Sequence, residues 1–286
     1  MQPPQSPQRV ASLWMGSDIG WIESLCLSSF LNRGFQVEVF SYEPVPSLPS
    51  EIIRRDAREI LPAPFRVGGP DYAGKPTGFS NVFRYELLAK TDAIWVDADM
   101  LALQSRIPLR KGFVFAWESQ SSINGAVLGA PSSSTLLDNL RQKVTSLDLD
   151  SVAWGQIGPR LITATVHALD MESFVLPQSA IYPIPWLRAW EFFDPSRREE
   201  MEEAVSSSIG VHLWNEVISR APYGLRFRLP PKGSFLRSEA EKFGLLRTSL
   251  PDVAPSEIKT WSKQLKAVAL KKSLRDRVRR ASRRRF

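Results

Sequence analysis

One stretch, residues 79–99, constrains the fold of this chain more than any other. The apolar run 93–96 is bounded by polar residues and too short for a helix, so it reads as a buried strand. Asp97 and Asp99 follow it with only Ala98 between them. Side chains alternate along a strand, so both carboxylates leave on one side if the extended geometry persists. Upstream, Phe79, Phe83 and Leu87 mark a helical core stripe, while Ser80 and Arg84 lie four apart on a neighbouring stripe. Arg84 can therefore point out of the core toward the end of the strand. Two hard oxygen donors on one side suit Mg²⁺ or Mn²⁺, whose remaining positions phosphate oxygens commonly fill.

The N-terminal region supplies the sheet that such a strand needs. Residues 10–15 read as a strand, Ser17 and Asp18 as helix caps, and Ile22, Leu25, Cys26 and Phe30 as a helical stripe ending near Gly34. Residues 35–42 form the next strand, and this β-α-β unit predicts a parallel sheet with a right-handed crossover. Residues 112–117 and 123–128 read as two further strands and 133–147 as a helix. Pro159 opens another helix, preceded by Gly155 and Gly158, which permit close backbone approach. Residues 44–49 and 61–78 are loops, the second a glycine-rich segment able to close over a ligand. His167 has no partner at metal-ligand spacing and takes a structural role. The aromatic, proline-rich stretch 181–194 reads as core or as the lining of an acceptor site.

Charge divides the chain. Residues 257–286 carry 12 Lys and Arg against Glu257 and Asp276, a net of +10, so residues 1–256 carry a net of −3. A basic surface over the whole protein is absent, which argues against a nucleic-acid partner. From Ser256 onward no proline or glycine interrupts the chain, predicting a long helix. Trp261, Leu265 and Val268 form a stripe expected to dock on the domain. Ala267, Leu270, Leu274, Val278 and Ala281 form a second stripe, flanked by Lys and Arg, that suits an anionic bilayer. The single cysteine, Cys26, falls on an apolar helix face. It fits a reducing compartment and a core position. No apolar run approaches the roughly 18–20 residues of a membrane span, and the start lacks a secretory pattern. The expected location is cytoplasmic, peripheral on the cytoplasmic face of the membrane.

Five short motifs, LWMG at 13–16, FSNVFRY at 79–85, VDAD at 96–99, GQIGPRLIT at 155–163 and VHLWN at 211–215, occur in that order. Together they resemble the DxD-containing sugar transferases, a group that includes α-1,4-galactosyltransferases, initiating α-mannosyltransferases and large glucosylating toxins. The resemblance covers residues 10–219. It implies an α/β fold of the GT-A type, with a Rossmann-like central sheet flanked by helices. It also implies a metal-dependent, retaining transfer from a nucleotide-diphosphate sugar to a hydroxyl acceptor; the basic tail favours a membrane-associated one, a saccharide or glycolipid in polysaccharide or lipopolysaccharide biosynthesis. In that reading Mn²⁺ or Mg²⁺ sits on Asp97, Asp99 and His212. Asp99 is the direct ligand, and Asp97 contacts the ribose or reaches the metal through water. The donor is contacted by Leu13, Trp14, Gly16, Ser80, Asn81, Arg84, Asp97, Ala98, Asn124, Gln156, Trp214 and Asn215. Asp97, Asp99, Arg84 and Gln156 carry the chemistry. His212 and Trp214 share one side of a strand, with the indole N–H donating to the diphosphate. Asn81 stands where the group usually has Asp.

The expected layout is a disordered stretch at 1–8, a catalytic domain at 9–235 and a basic helical extension at 236–286. Two rivals remain: a metal-dependent phosphohydrolase, and a non-enzymatic membrane scaffold with a degenerate transferase domain. The first normally wants its D-x-D on the first strand.

Overall fold

The computed structural model describes residues 6–68, 76–244 and 250–283. Residues 1–5 of the expected disordered start, 69–75 of the glycine-rich loop and 284–286 of the tail lie outside them. The chain forms two compact units, Met1–Pro183 with Ser207–His212, and Ile184–Ser206 with Leu213–Phe286.

The first unit contains the expected α/β architecture. Strand β1 (Arg9–Trp14), helix α1 (Trp21–Asn32) and strand β2 (Gln36–Ser41) make the β-α-β unit, and β1 and β2 pair in parallel. Both strands are buried over their middle four residues, as strands covered on both faces must be. Strand β3 (Ile53–Asp56) adds to the outer side of β2. Helix α2 (Thr77–Lys90) buries Phe79, Phe83 and Leu87 and leads into β4 (Ile94–Val96), which pairs in parallel with β1. Strand β5 (Met100–Ala102) follows at once; β6 (Val114–Ser119) and β7 (Ser122–Gly129) form an antiparallel pair. The six-stranded order is β3-β2-β1-β4-β7-β6, with the first four strands parallel. Helices α3 (Thr135–Thr145) and α4 (Pro159–Ala168) continue the layer, α3 against α2 and α4 against β7. A short helix, α5 (Gln178–Ile181), precedes the switch to the second unit. The chain then returns for a last strand, and β5 pairs antiparallel with it over Met100↔His212 to Ala102↔Gly210.

A buried carboxylate bridges the first three strands. Glu38 on β2, 1% exposed, accepts from Arg9 Nε on β1 at 2.8 Å and from Arg55 Nη1 on β3 at 3.0 Å. Removing either arginine would leave a buried carboxylate half-compensated. Strand β3 escapes sequence reading because, as an edge, it carries charge in place of alternation: its four residues are Ile, Arg, Arg and Asp, and none is buried.

Two expectations are corrected here, and one is met. Helix α1 starts at Trp21 with Gly20 as N-cap and no side-chain cap, so Ser17 and Asp18 are not its caps. The Asp18 carbonyl instead accepts from Trp14 Nε1 at 3.1 Å. Gln8, in the stretch expected to be disordered, donates to Ile107 O at 2.9 Å and accepts from Ile107 N at 2.8 Å. Its carboxamide copies a strand partner and ties down the chain just before β1. Cys26 is fully buried, and burial pushes its thiol well above the usual range, which fits a core residue.

The second unit is helical. Its core gathers the aromatic 3₁₀ segment Trp186–Phe193, α6 (Arg198–Val205), α7 (Asn215–Ser219), the segment Pro222–Phe227, α8 (Phe235–Lys242) and the long α9 (Pro255–Arg283). Phe192 packs on Phe235 with ring centroids 6.0 Å apart, and Phe193 meets Trp261 edge-on at 5.7 Å. Trp190, Phe192 and Phe193 are buried, so these three aromatics are core. Ile258, Trp261 and Leu265 form the docked stripe of α9. Val268, expected to continue it, is 43% exposed. Leu270 on the second stripe is 64% exposed; the side chains of Leu274, Val278 and Ala281 lie outside the described residues.

Candidate metal centre and donor site

Because β1 and β4 run parallel, they leave the sheet at the same edge, where open α/β sheets bind ligands. Leu13 and Trp14 end β1, and Gly16 turns the chain there at φ +130°. Asp97, Ala98 and Asp99 leave β4 at that edge and turn the chain into β5. The last strand, β8 (Gly210–His212), brings an imidazole to the same turn. Gly210 permits this approach: a Cβ there would meet the Leu101 carbonyl oxygen at 2.8 Å. His212 Nε2 lies 3.2 Å from Asp99 Oδ1. Asp97, Asp99 and His212 each offer one ligand atom, all within 4.8 Å of one another. Two carboxylates and an imidazole fit a divalent cation that tolerates mixed oxygen and nitrogen donors, Mn²⁺ more naturally than Mg²⁺.

The first carboxylate is held in place by its surroundings. Arg84 Nη2 donates to Asp97 Oδ1 at 2.7 Å, and Trp95 Nε1 donates to the same oxygen at 2.6 Å. Both bonds fall on Oδ1, which leaves Oδ2 for a cation. Arg84 is 5% exposed, lies 4.9 Å over the Trp95 ring and donates through Nη1 to Asn81 Oδ1 at 3.1 Å. The nearby carboxylates Glu86 and Asp92 are paired elsewhere, with Arg141 and Arg9. Gly125 is the floor beneath it, since a Cβ there would stand 2.4 Å from Nη1. Arg84 was expected to face the diphosphate, and in this arrangement it acts through Asp97.

Burial disfavours the charged form of His212, but Asp99, then Asp97 and Glu118, outweigh it and raise the imidazole above its usual range. Tyr182 meets His212 edge-on at 5.7 Å, and burial followed by the charges of Asp97 and Glu118 pushes its phenol well up.

Other expected contacts are engaged locally. Asn81 donates to Thr77 O at 2.9 Å, and Ser80 Oγ donates to the same carbonyl at 2.9 Å. Gln156 Oε1 accepts from Ala153 N at 2.9 Å, folding the side chain back on its own turn. Asn124 accepts from Ala126 N at 2.9 Å and donates to Glu118 Oε2 at 3.0 Å. His167 pairs with Glu172 on the surface, in keeping with a structural role. The VHLWN strand is shorter than expected. It ends at His212, and Trp214 takes a left-handed conformation, φ +61°, as N-cap of α7. Trp214 therefore lies beyond the strand that ends at His212, and its indole N–H donates to Ile184 O at 2.8 Å. Trp214 and Asn215 belong to the second unit. Sequence reasoning missed Glu118, for which an acidic residue at the end of an apolar strand was the available sign; Tyr182 falls in the aromatic stretch 181–194 read as core or acceptor-site lining.

Residues 145–224 match the family described as "Alpha 1,4-glycosyltransferase conserved region". Curated relatives agree. Lactosylceramide 4-alpha-galactosyltransferase of Mus musculus is 26% identical over 148 residues, covering 48% of this chain and 40% of the relative. The Rattus norvegicus enzyme of that name is 27% identical over 154 residues, with the same coverage. The human one is 26% identical over 148 residues, 48% of this chain and 41% of its own. The matched span is thus about two fifths of the length of those relatives. Among solved structures, "PaToxG Glycosyltransferase" aligns with a TM-score of 0.43 and 12% identity, over 58% of this chain and 70% of that one.

Proposed function

We propose that this protein is a metal-dependent glycosyltransferase of the GT-A type. It moves a sugar from a nucleotide-diphosphate sugar to a hydroxyl of a saccharide or glycolipid acceptor, with retention of configuration. The observation that carries the reading is the convergence of Asp97, Asp99 and His212 at the sheet edge. A family match in the same chain supports it.

A bound Mn²⁺ would supply Lewis-acid stabilisation of the charge that builds on the leaving diphosphate. The rest falls to the chain. Asp97 presents Oδ2 because Arg84 and Trp95 occupy Oδ1. Asp99 and His212 close the other side. Leu13, Trp14 and Gly16 line the edge where a nucleoside would enter. For retention, the acceptor oxygen attacks the anomeric carbon on the face the diphosphate is leaving. The carbon–oxygen bond breaks with its electron pair on the phosphate, and the hydroxyl proton passes to that phosphate oxygen.

The relatives' name specifies a glycolipid, and a glycolipid acceptor is the class proposed here. No helix among the described residues is long and apolar enough to cross a membrane. The basic α9, with Leu270 exposed, is proposed to rest on an anionic bilayer. Sedimentation with vesicles of phosphatidylcholine alone and with phosphatidylglycerol tests this: binding is expected only with the anionic lipid, and equal binding to both refutes it.

The reaction itself is tested with UDP-hexoses and GDP-mannose, a lactosyl glycolipid and a lipopolysaccharide core, with and without Mn²⁺. Free nucleoside diphosphate and a glycosylated acceptor are expected only with metal. Inorganic phosphate release would favour a phosphohydrolase, and the absence of any metal-dependent product would favour a scaffold.

A further inference from the structure

The site holds a third carboxylate that the ligand group does not use. Glu118 lies near the end of β6, where the pairing with β7 slips: Trp117 pairs with Ile123, yet Ser119 pairs with Ser122. Two steps on β6 oppose one on β7, so Glu118 is the extra residue of a bulge. Bulges re-aim a side chain out of the regular alternation.

Glu118 is half-buried, and Asn124 Nδ2 on β7 holds its Oε2 at 3.0 Å. Among the described residues its Oε1 has no hydrogen-bond partner. Asn124 in turn fixes Ala126 N, and Ala126 O accepts from Asp97 N at 2.8 Å. One chain of hydrogen bonds therefore ties Glu118 to the backbone of the first ligand. The carboxylate is close enough for its field to act on His212 and Tyr182, but it is not one of the three groups that converge on the cation position.

Charge decides what such a group can meet. A carboxylate beside a diphosphate site repels phosphate oxygens and accepts from neutral hydroxyls. In a donor made of a nucleoside, a diphosphate and a sugar, the sugar is the part dense in hydroxyl donors. We infer that Glu118 binds a hydroxyl of the transferred sugar through Oε1, and so helps to set which sugar the site accepts. This rests on the donor class proposed above.

The consequence is a split between nucleotide and nucleotide sugar. A site built to hydrogen-bond a hydroxyl loses selectively for ligands that carry it, and is indifferent to ligands that lack it. Glu118→Gln keeps the shape and an oxygen for Asn124 while removing the charge. Binding of UDP, GDP, UDP-galactose, UDP-glucose and GDP-mannose is measured by calorimetry in Mn²⁺, on the wild type and on this variant.

The expected result is that the nucleoside diphosphate the wild type prefers binds the variant within about twofold, while its sugar conjugate binds at least tenfold more weakly. A series of deoxy-sugar donors locates the hydroxyl: the one lacking it binds wild type and variant alike. Equal losses for diphosphate and conjugate would assign Glu118 to the electrostatics of the cation and overturn the inference. No loss for either would overturn it as well. If the wild type binds none of the five ligands, the donor class itself fails, and this inference fails with it. That outcome is visible before the variant is made.

Discussion

Alanine at position 99 is expected to abolish the metal-dependent stabilisation of this protein by its nucleotide donor. In the wild type, a donor at a hundred times its Kd in Mn²⁺ raises stability by about 2.7 kcal/mol. For a chain of this size that is a rise in Tm of roughly 5–10 °C. Asp99 is 14% exposed at its side chain and stands 3.2 Å from His212, so its loss removes one ligand and the neighbour that orients another. Asp99→Asn keeps the shape and serves as a control for folding. The measurement is a thermal-shift titration with donor, with and without Mn²⁺, on all three proteins. A metal-dependent shift that survives in both variants would remove Asp99 from the ligand set.

The second large effect is at Arg84. Replacing it with leucine leaves the Asp97 carboxylate beside Trp95 without its cation, and breaking the pair costs about 3 kcal/mol, the low end for a buried pair because the Asp97 side chain is 27% exposed. Metal affinity is expected to fall about 10–100-fold, because the group that holds Asp97 Oδ1 is gone. Gly125→Ala reaches the same end without touching a charge, since the added methyl group stands where Arg84 Nη1 now lies. It should weaken Mn²⁺ binding at a smaller stability loss, about 1–3 kcal/mol. Chemical denaturation gives the first number and manganese paramagnetic titration the second. An Arg84→Leu protein with unchanged Mn²⁺ affinity would show that Asp97 needs no positioning.

The parts of this molecule that were legible in the sequence are those governed by periodicity. Val10, Val37 and Val39 announced buried parallel strands, and Phe79, Phe83 and Leu87 a helix with one buried face. Asp97 and Asp99 were found because a strand ended beside them. Illegible features came from departures that one residue type does not announce. Trp214 reads as strand until its left-handed backbone is seen, and a bulky residue seldom adopts that conformation. The bulge that turns Glu118 depends on how β6 is paired with β7, a relation between strands that neither strand carries alone. The sequence placed Arg84 toward the metal end of the sheet but did not announce its pairing with Asp97; the nearer acidic residues Glu86 and Asp92 are taken by long-range partners, Arg141 and Arg9.

The pairing of β5 with β8 has a consequence for how the site comes into being. Two of the three proposed ligands emerge early from synthesis, and the third arrives only after the chain has left the first unit, traversed residues 184–206 and come back. Until that return, the carboxylates at 97 and 99 can gather an ion only loosely, as any acidic turn does. Affinity therefore reports completion: a nascent or truncated chain that stops short of residue 212 lacks the third ligand. The ion, once gripped, opposes reopening of that long loop, whose closure entropy grows only slowly with its length. On the proposed reading, competence to bind donor requires a polypeptide intact through residue 212.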